Sequence, residues 1–178
     1  MWINYYEKTL SGGHPNSLGK TIWVVDDILT DRKKLNDLYA CYFSKDPVVR
    51  LRVSNAFKRI CKEKPGWVAE YIDQFINEIS NIDQASTKWT LATLFLLLKN
   101  YMSSKQKTAS IKIMKNNLHY PDWIVQNITA DTLAVYAEND VKLKQWLIPE
   151  LKKLSKGKYK SVARRSDKLI IRLSEIKY

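Results

Sequence analysis

Histidine and cysteine are the residues of this sequence best suited to acid–base, nucleophilic or metal-binding chemistry, and there are two of each. His14 and His119 lie far apart in predicted loops, and nothing in their spacing brings a base to a nucleophile. Cys41 and Cys61 form no CxxC pair and fall on apolar positions of predicted helices, which predicts buried, reduced thiols. No group of residues has the spacing of metal ligands. The sequence therefore predicts no catalytic residue, metal or cofactor, and it leaves open whether the chain is an enzyme.

A second stretch, residues 13–21, looks like a phosphate-binding loop because it combines glycines with the sequence Gly19-Lys20-Thr21. Such a loop needs a further glycine, separated from its Gly-Lys pair by four residues, and this chain has His14 at that position. Asp26 and Asp27 could be mistaken for the acidic partner of the loop. They come only five and six residues after Thr21, on the same predicted helix. Neither carboxylate could therefore reach a metal ion held at the loop. We therefore expect the stretch to end one helix and begin the next, without binding a nucleotide.

The charge of the chain indicates the kind of partner it could bind. The net charge is +12, and residues 142–178 contain 12 Lys or Arg against 3 Asp or Glu. A field of this kind attracts nucleic acid, acidic proteins or anionic lipid. Most of the excess is lysine, however, so an ordinary solvated surface is an alternative explanation. The 178 residues, 45% of them apolar, suit one domain with a continuous core.

The sequence also bears on location. The first residues contain no apolar region of a signal peptide, and the longest aliphatic run, residues 94–98, is too short to cross a bilayer. The two cysteines without a close partner are typical of a reducing compartment. These features predict a cytoplasmic protein that does not associate with membranes.

Four segments share a pattern that returns every 37 or 38 residues. They align on Val49, Thr87, Val125 and Val162, and we call the residues at one offset in this alignment a repeat column. The columns eight and eleven residues further on hold Phe57, Phe95, Leu133 and Ile170, and then Ile60, Leu98, Tyr136 and Leu173. A repeated apolar face needs a neighbouring unit to cover it, so the pattern predicts a stacked helical array.

Apolar periodicity predicts two helices in each repeat. The predicted pairs are 32–43 with 47–62, 67–80 with 84–99, 104–118 with 122–137, and 142–155 with 159–176. Asp46 and Asp83 are the predicted N-caps of two second helices. A capping helix over residues 17–30, with Ser17 as its N-cap, is expected before the first pair. Residues 1–16 are expected to be irregular apart from one short helix containing Tyr5, Tyr6 and Leu10, and residues 1–178 to form a single domain.

Local motifs in these pairs resemble those of HEAT-repeat proteins. Residues 147–151, Leu-Ile-Pro-Glu-Leu, resemble the kinked first helix of that family, and residues 46–50, Asp-Pro-Val-Val-Arg, resemble the turn and the start of its second helix. Residues 122–125 and 160–164 are weaker copies, and the second repeat departs with Thr87-Lys88. The resemblance covers about residues 31–177. It implies an all-α, right-handed α-α superhelix of about four HEAT-like pairs after an N-terminal capping helix.

The resemblance further implies that the second helices line a concave face on which partners dock. Residues 2, 3, 6 and 10 positions after the first column are expected to point outward there, giving a face that is basic at both ends and more apolar in the middle. The candidate binding residues are Arg50, Arg52, Arg59, Lys88, Trp89, Asn127, Asp131, Arg164, Arg165 and Lys168. An alternative is that Trp89 and Ile128 are partly buried under a neighbouring helix.

A non-catalytic scaffold or adaptor is the function that these features favour, with an acidic protein as the first choice of partner. Arginine beside an aromatic side chain is common in protein interfaces, and it also suits phosphates and bases. Nucleic acid is therefore the second choice. Some alkylpurine DNA glycosylases are built from HEAT-like repeats, and Trp89, Trp123, Asp131, Arg164 and Arg165 are residue types that such enzymes use. No glycosylase motif aligns with these positions, so no catalytic role is assigned.

Overall fold

The computed structural model describes residues 5–176, and all regular structure in this range is helical. The predicted all-α class is therefore confirmed. The helices cluster into two compact units, residues 1–103 and residues 104–178. The single domain and the right-handed superhelix stay predictions. The part of the predicted N-terminal segment before residue 5, and residue 177 of the last repeat, lie outside the described residues.

The first unit contains seven α-helices within its described residues. They are α1 Tyr5–Leu10, α2 Thr21–Thr30, α3 Leu35–Ala40, α4 Pro47–Glu63, α5 Pro65–Ala69, α6 Ile72–Asn77 and α7 Ala85–Leu97. Short 3₁₀ turns at Arg32–Lys34, Cys41–Phe43, Ile79–Asn81 and Lys99–Tyr101 adjoin them. The predicted short helix before the Gly12-Gly13 pair is confirmed as α1.

Several predicted helix bounds in the first unit are wrong. The capping helix, α2, begins at Thr21 rather than at residue 17, and its N-cap is Lys20 without a side-chain bond. The Ser17 hydroxyl instead accepts a hydrogen bond from the Gly19 backbone N–H at 3.1 Å, which folds the preceding loop. The predicted helix 67–80 is broken at residues 70–71 into α5 and α6. The buried residues keep a helical spacing across the break, so periodicity could not reveal it.

Aspartate caps explain where several helices begin. The Asp46 carboxylate accepts a hydrogen bond from the Val48 N–H at 2.8 Å, with Pro47 in the first turn, and this predicted N-cap is confirmed. Asp83 is not an N-cap, because α7 begins after Gln84. In the second unit, Asp122 and Asp140 cap their helices through backbone N–H groups.

The core of the first unit forms around α4, which packs against α2, α5 and α7. Phe57 lies at its centre, with the Tyr42 ring stacked 5.3 Å away and the Phe75 ring edge-on at 5.5 Å. Tyr39 and Tyr71 complete this aromatic cluster. Burial of large rings supplies much of the hydrophobic stabilisation in a unit of this size.

The second unit contains four helices within its described residues. They are α8 Ser104–Asn117, α9 Trp123–Ala137, α10 Val141–Leu154 and α11 Lys160–Glu175, and each lies within one residue of its predicted bounds. Helix α9 packs against α8, α10 and α11, and α10 also packs against α11. Pro149 lies inside α10, as the sequence predicts.

The repeat columns are the part of the prediction that the structure supports most directly. Val49, Thr87, Val125 and Val162, one from each repeat, are at most 2% exposed. In the column eight residues after these, all members are buried except Ile170, which is partly exposed. In the column eleven residues after them, all four members are buried. The 37- and 38-residue period therefore marks the face that each second helix buries. None of the described helices is both long enough and apolar enough to span a bilayer.

Candidate binding surface

Helix α11 exposes a group of basic side chains in the second unit. Val162, Ser166, Leu169 and Leu173 form its buried face. The opposite side exposes Arg164, Arg165, Lys168 and Arg172. A helix with one apolar and one charged stripe packs by the first and leaves the second to solvent or to a partner.

Two of these cations are held by carboxylates on α9 and at its C-cap, Glu138. Arg165 Nε lies 3.4 Å from Asp131 Oδ1, and an Arg172 terminal nitrogen donates to Glu138 Oε1. The acids are seven residues apart, on α9 and its C-cap, and the arginines are seven residues apart on α11. Because the ion pairs follow the same order along both helices, α9 and α11 run in the same direction. The two ion pairs fix how the second helices of the third and fourth repeats meet.

Arg164 and Lys168 differ from those paired arginines. They lie four residues apart on α11 and are exposed, and neither has a hydrogen bond or ion pair with any residue that the structure describes. Long cationic side chains one helical turn apart can contact one anionic partner together. We define Arg164, Arg165, Lys168 and Arg172 as the α11 basic face, in which Arg164 and Lys168 carry the uncompensated charge.

Asn127 and Asp131 lie on α9, one helical turn apart. The Asn127 side-chain oxygen is buried and accepts no hydrogen bond within residues 5–176. Burial raises the pKa of the Asp131 carboxyl, although Arg165 and Arg172 act in the opposite direction. Since the cost of burying the Asp131 carboxylate outweighs its attraction to the arginines, the Asp131–Arg165 pair adds little net stability. It positions Arg165 more than it stabilises the fold.

Arg52 is where the structure departs furthest from the sequence prediction. Its side chain is only 2% exposed and turns towards the loop between α1 and α2. The guanidinium donates to the carbonyl oxygens of Leu10 and Gly12, each at 2.6 Å, and of His14 and Ser17, at 3.3 and 3.2 Å. The predicted outward-facing Arg52 is therefore wrong. A loop rich in carbonyl acceptors surrounds a cation that would otherwise be buried without partners.

The same contacts show that residues 13–21 do not have the geometry of a phosphate-binding loop. A phosphate-binding loop points backbone N–H groups at an anion. The loop between Leu10 and Thr21 points backbone carbonyls at a cation. Gly12, Gly13 and Gly19 adopt positive φ angles, which lets the chain turn tightly around the guanidinium. The loop has the opposite polarity to a phosphate site, in agreement with the expectation that it joins two helices.

The remaining candidates of the first unit are only partly exposed. Arg50 donates to Ser44 O at 2.5 Å and to Gln84 Oε1 at 2.7 Å, which ties the start of α4 to the start of α7. Arg59 Nε donates to Asn55 Oδ1 at 2.8 Å. Lys88 lies 3.9 Å from Asp83, and Trp89 is half-buried. The alternative of partial burial therefore holds for Trp89, and the same applies to Ile128 in the second unit.

Neither cysteine is placed for chemistry. Both are almost completely buried, and burial raises the pKa of each thiol to about 12. Within residues 5–176, no three His, Cys, Asp or Glu side chains cluster closely enough to hold a metal. His119 instead pairs with Glu150 at 2.8 Å.

We expect Cys41 and Cys61 to resist alkylation in the folded protein. At neutral pH almost no thiolate forms when the pKa is near 12, and the thiolate is the nucleophile. The measurement is the rate of iodoacetamide labelling, followed by mass spectrometry with and without guanidinium chloride. Labelling that is equally fast in both conditions would show that the thiols are not buried.

Comparison with other proteins supplies no family. No family model, curated protein or solved structure matches the chain. The HEAT resemblance thus stays a prediction based on the motifs and the repeat columns. No match supports the glycosylase interpretation, which stays a hypothesis.

The sequence contained a signal for the α9–α11 pairing that the residue types alone did not reveal. Asp131 and Glu138 repeat at the same seven-residue step as Arg165 and Arg172, displaced by 34 residues. Opposite charges at matched steps on neighbouring helices predict interhelical ion pairs. Glu138 lies 13 residues after Val125, outside the four columns expected to point outward, so these columns do not reveal it.

Proposed function

We propose that this chain is a non-catalytic scaffold or adaptor of HEAT-like helical pairs, and that the α11 basic face binds an acidic segment of a protein partner. The observation that carries the proposal is that Arg164 and Lys168 are exposed on one side of α11 without a described partner. The buried repeat columns and the parallel α9 and α11 support the HEAT-like arrangement.

A protein partner fits this face better than a nucleic acid does. Asp131 and Glu138 hold two of its arginines, and Asp167 is exposed on α11 between Arg164 and Lys168. These carboxylates would repel a continuous row of phosphates. Charged groups of both signs suit a protein segment with a defined pattern of charges, because complementarity selects the partner and its register.

The test is fluorescence anisotropy of a labelled acidic decapeptide in which glutamate and aspartate residues alternate with neutral ones, titrated with the full chain at low and near-physiological salt. The proposal would be supported if the peptide still binds at moderate salt and binds more tightly than a duplex DNA labelled with the same fluorophore. The absence of peptide binding even at low salt would refute it and leave the basic charge as solvated surface.

Nucleic acid without chemistry is the second candidate. It is favoured by exposed arginines and the exposed Trp123 ring in the same unit, since these residue types contact phosphates and stack on bases. The same titration with duplex and single-stranded DNA distinguishes it. Its log affinity would fall against log salt with a slope of about −0.9 for each duplex phosphate neutralised. If DNA binds, release of free base from alkylated DNA would test the glycosylase-like alternative.

We expect Asp131→Asn to strengthen peptide binding by about threefold, which is within the range of a surface ion pair. The substitution removes the carboxylate that holds Arg165 and adds one uncompensated positive charge to the α11 basic face. Stability should change by less than about 1 kcal/mol, because the cost of burying the carboxylate offsets its attraction to Arg165. Anisotropy and thermal unfolding measure the two effects. Weaker binding of the variant would mean that Arg165 acts only when Asp131 positions it.

A further inference from the structure

A groove in the first unit has the composition of a ligand site, and none of its lining residues belongs to the α11 basic face. It lies between α2 and α4 and has a volume of about 410 Å³. Ile22, Val25 and Leu29 of α2 form an aliphatic wall, and Lys58, Arg59 and Lys62 of α4 form a cationic wall. Sites for small molecules have volumes of about 300–1,000 Å³ and combine apolar walls with a few polar groups.

The cationic wall lacks a described counter-ion. Lys58 is half-buried, and neither Lys58 nor Lys62 has a hydrogen bond or ion pair with another described residue. Arg59 uses its Nε to hold Asn55, which leaves its terminal nitrogens without a described partner. Burial lowers the pKa of the Lys58 ammonium, and the neighbouring Lys62 and Arg59 lower it further. An anion placed between these groups would favour the charged ammonium and so oppose the lowering of the Lys58 pKa.

The charge of the whole groove limits which anion fits. Asp26 and Glu63 also line it, and neither forms an ion pair with the three cations. Three positive and two negative groups leave one net positive charge. A monoanion therefore fits better than a phosphate dianion, which the two carboxylates would repel. The aliphatic wall, to which Ile22 contributes a side chain that is 41% exposed, can cover a short hydrocarbon chain.

We propose that this groove binds a small amphiphilic carboxylate, with the carboxylate at Lys58 and Arg59 and the alkyl chain along Ile22, Val25 and Leu29. The ligand class and the unit both differ from those of the proposed scaffold function, so the two proposals stand independently. Amine and guanidinium together can contact both oxygens of one carboxylate.

Isothermal titration calorimetry of the full chain tests the proposal, with octanoate as the probe, below the concentration at which it forms micelles. Octanol and acetate serve as probes that lack the charge and the chain, respectively. We expect octanoate to bind and each of the other two to bind at least about tenfold more weakly, because both parts of the ligand contribute. No binding of octanoate, or equal binding of octanol, would overturn the proposal.

Lys58→Met removes the ammonium while keeping most of the side-chain length, and it should weaken octanoate binding by about tenfold or more. Lys45→Met is the matched control, since Lys45 is an exposed lysine that does not line the groove, and its affinity should equal that of the parent. Equal affinities of all three proteins would contradict the proposed site. If Lys58→Met fails to fold, Ile22→Ser at an exposed position should still weaken octanoate binding, and unchanged binding there would likewise overturn the proposal.

Discussion

Replacing Arg52 by methionine should destabilise the protein by about 3 kcal/mol, since removing the charged partner of several buried hydrogen bonds costs this order of free energy. The guanidinium holds four carbonyl oxygens of the loop that joins α1 to α2. Methionine fills similar space but donates no hydrogen bond, so the loop loses its central contact. Guanidinium unfolding followed by far-UV circular dichroism measures the loss.

Arg59→Met is the matched control, because Arg59 lies on the same helix, two turns further on, and makes one described hydrogen bond, to Asn55. It should cost less than about 1 kcal/mol. Equal unfolding midpoints for the two variants would show that Arg52 does not hold the loop.

A pair of glycine variants tests the same contact from the loop side. A Cβ at Gly19 would lie 2.8 Å from Arg52 Cζ, whereas a Cβ at Gly12 meets nothing within 4 Å. Both glycines have positive φ, so alanine is strained at either position. Gly19→Ala should therefore be the more destabilising of the two, and the difference measures the contact with Arg52.

The double variant Arg164→Ala/Lys168→Ala should weaken binding of the acidic decapeptide by at least about tenfold, which corresponds to 1.4 kcal/mol. These two residues supply the uncompensated charge of the α11 basic face, while Arg165 and Arg172 are already paired. Both side chains are exposed, so the fold should tolerate their loss.

The control is Lys142→Ala/Lys152→Ala, which removes two exposed positive charges from α10 in the same unit. It changes the net charge by the same amount, so any general electrostatic effect is equal in both proteins. Similar losses of affinity in the two double variants would mean that net charge, rather than the α11 basic face, attracts the peptide.

The period of the repeat made the helical class and the buried face of the second helices predictable. The repeat columns identified the buried face of each second helix, because one residue in each turn must face the core whatever the partner helix is. Val49, Thr87, Val125 and Val162 are buried accordingly. Helix ends were less predictable where they depend on a cap, as at Ser17 and Asp83.

The candidate site was less predictable because exposure of a charged side chain depends on what else folds against it. Arg52 and Arg165 occupy the same repeat column, yet one is buried and the other is exposed. The difference comes from a loop about forty residues earlier in the chain, which supplies acceptors only to Arg52. Such long-range contacts leave no periodic signal in a single sequence. The groove beside Lys58 was missed for the same reason, since α2 forms one of its walls.

The most direct test of the proposed function is to map the decapeptide on the protein by backbone amide NMR shifts. We expect the largest changes in α11 from Arg164 to Arg172 and in the adjoining turn of α9 at Asn127 and Asp131. Changes confined to other surfaces, or no changes at peptide concentrations that saturate the anisotropy signal, would contradict the assignment of the α11 basic face as the binding surface.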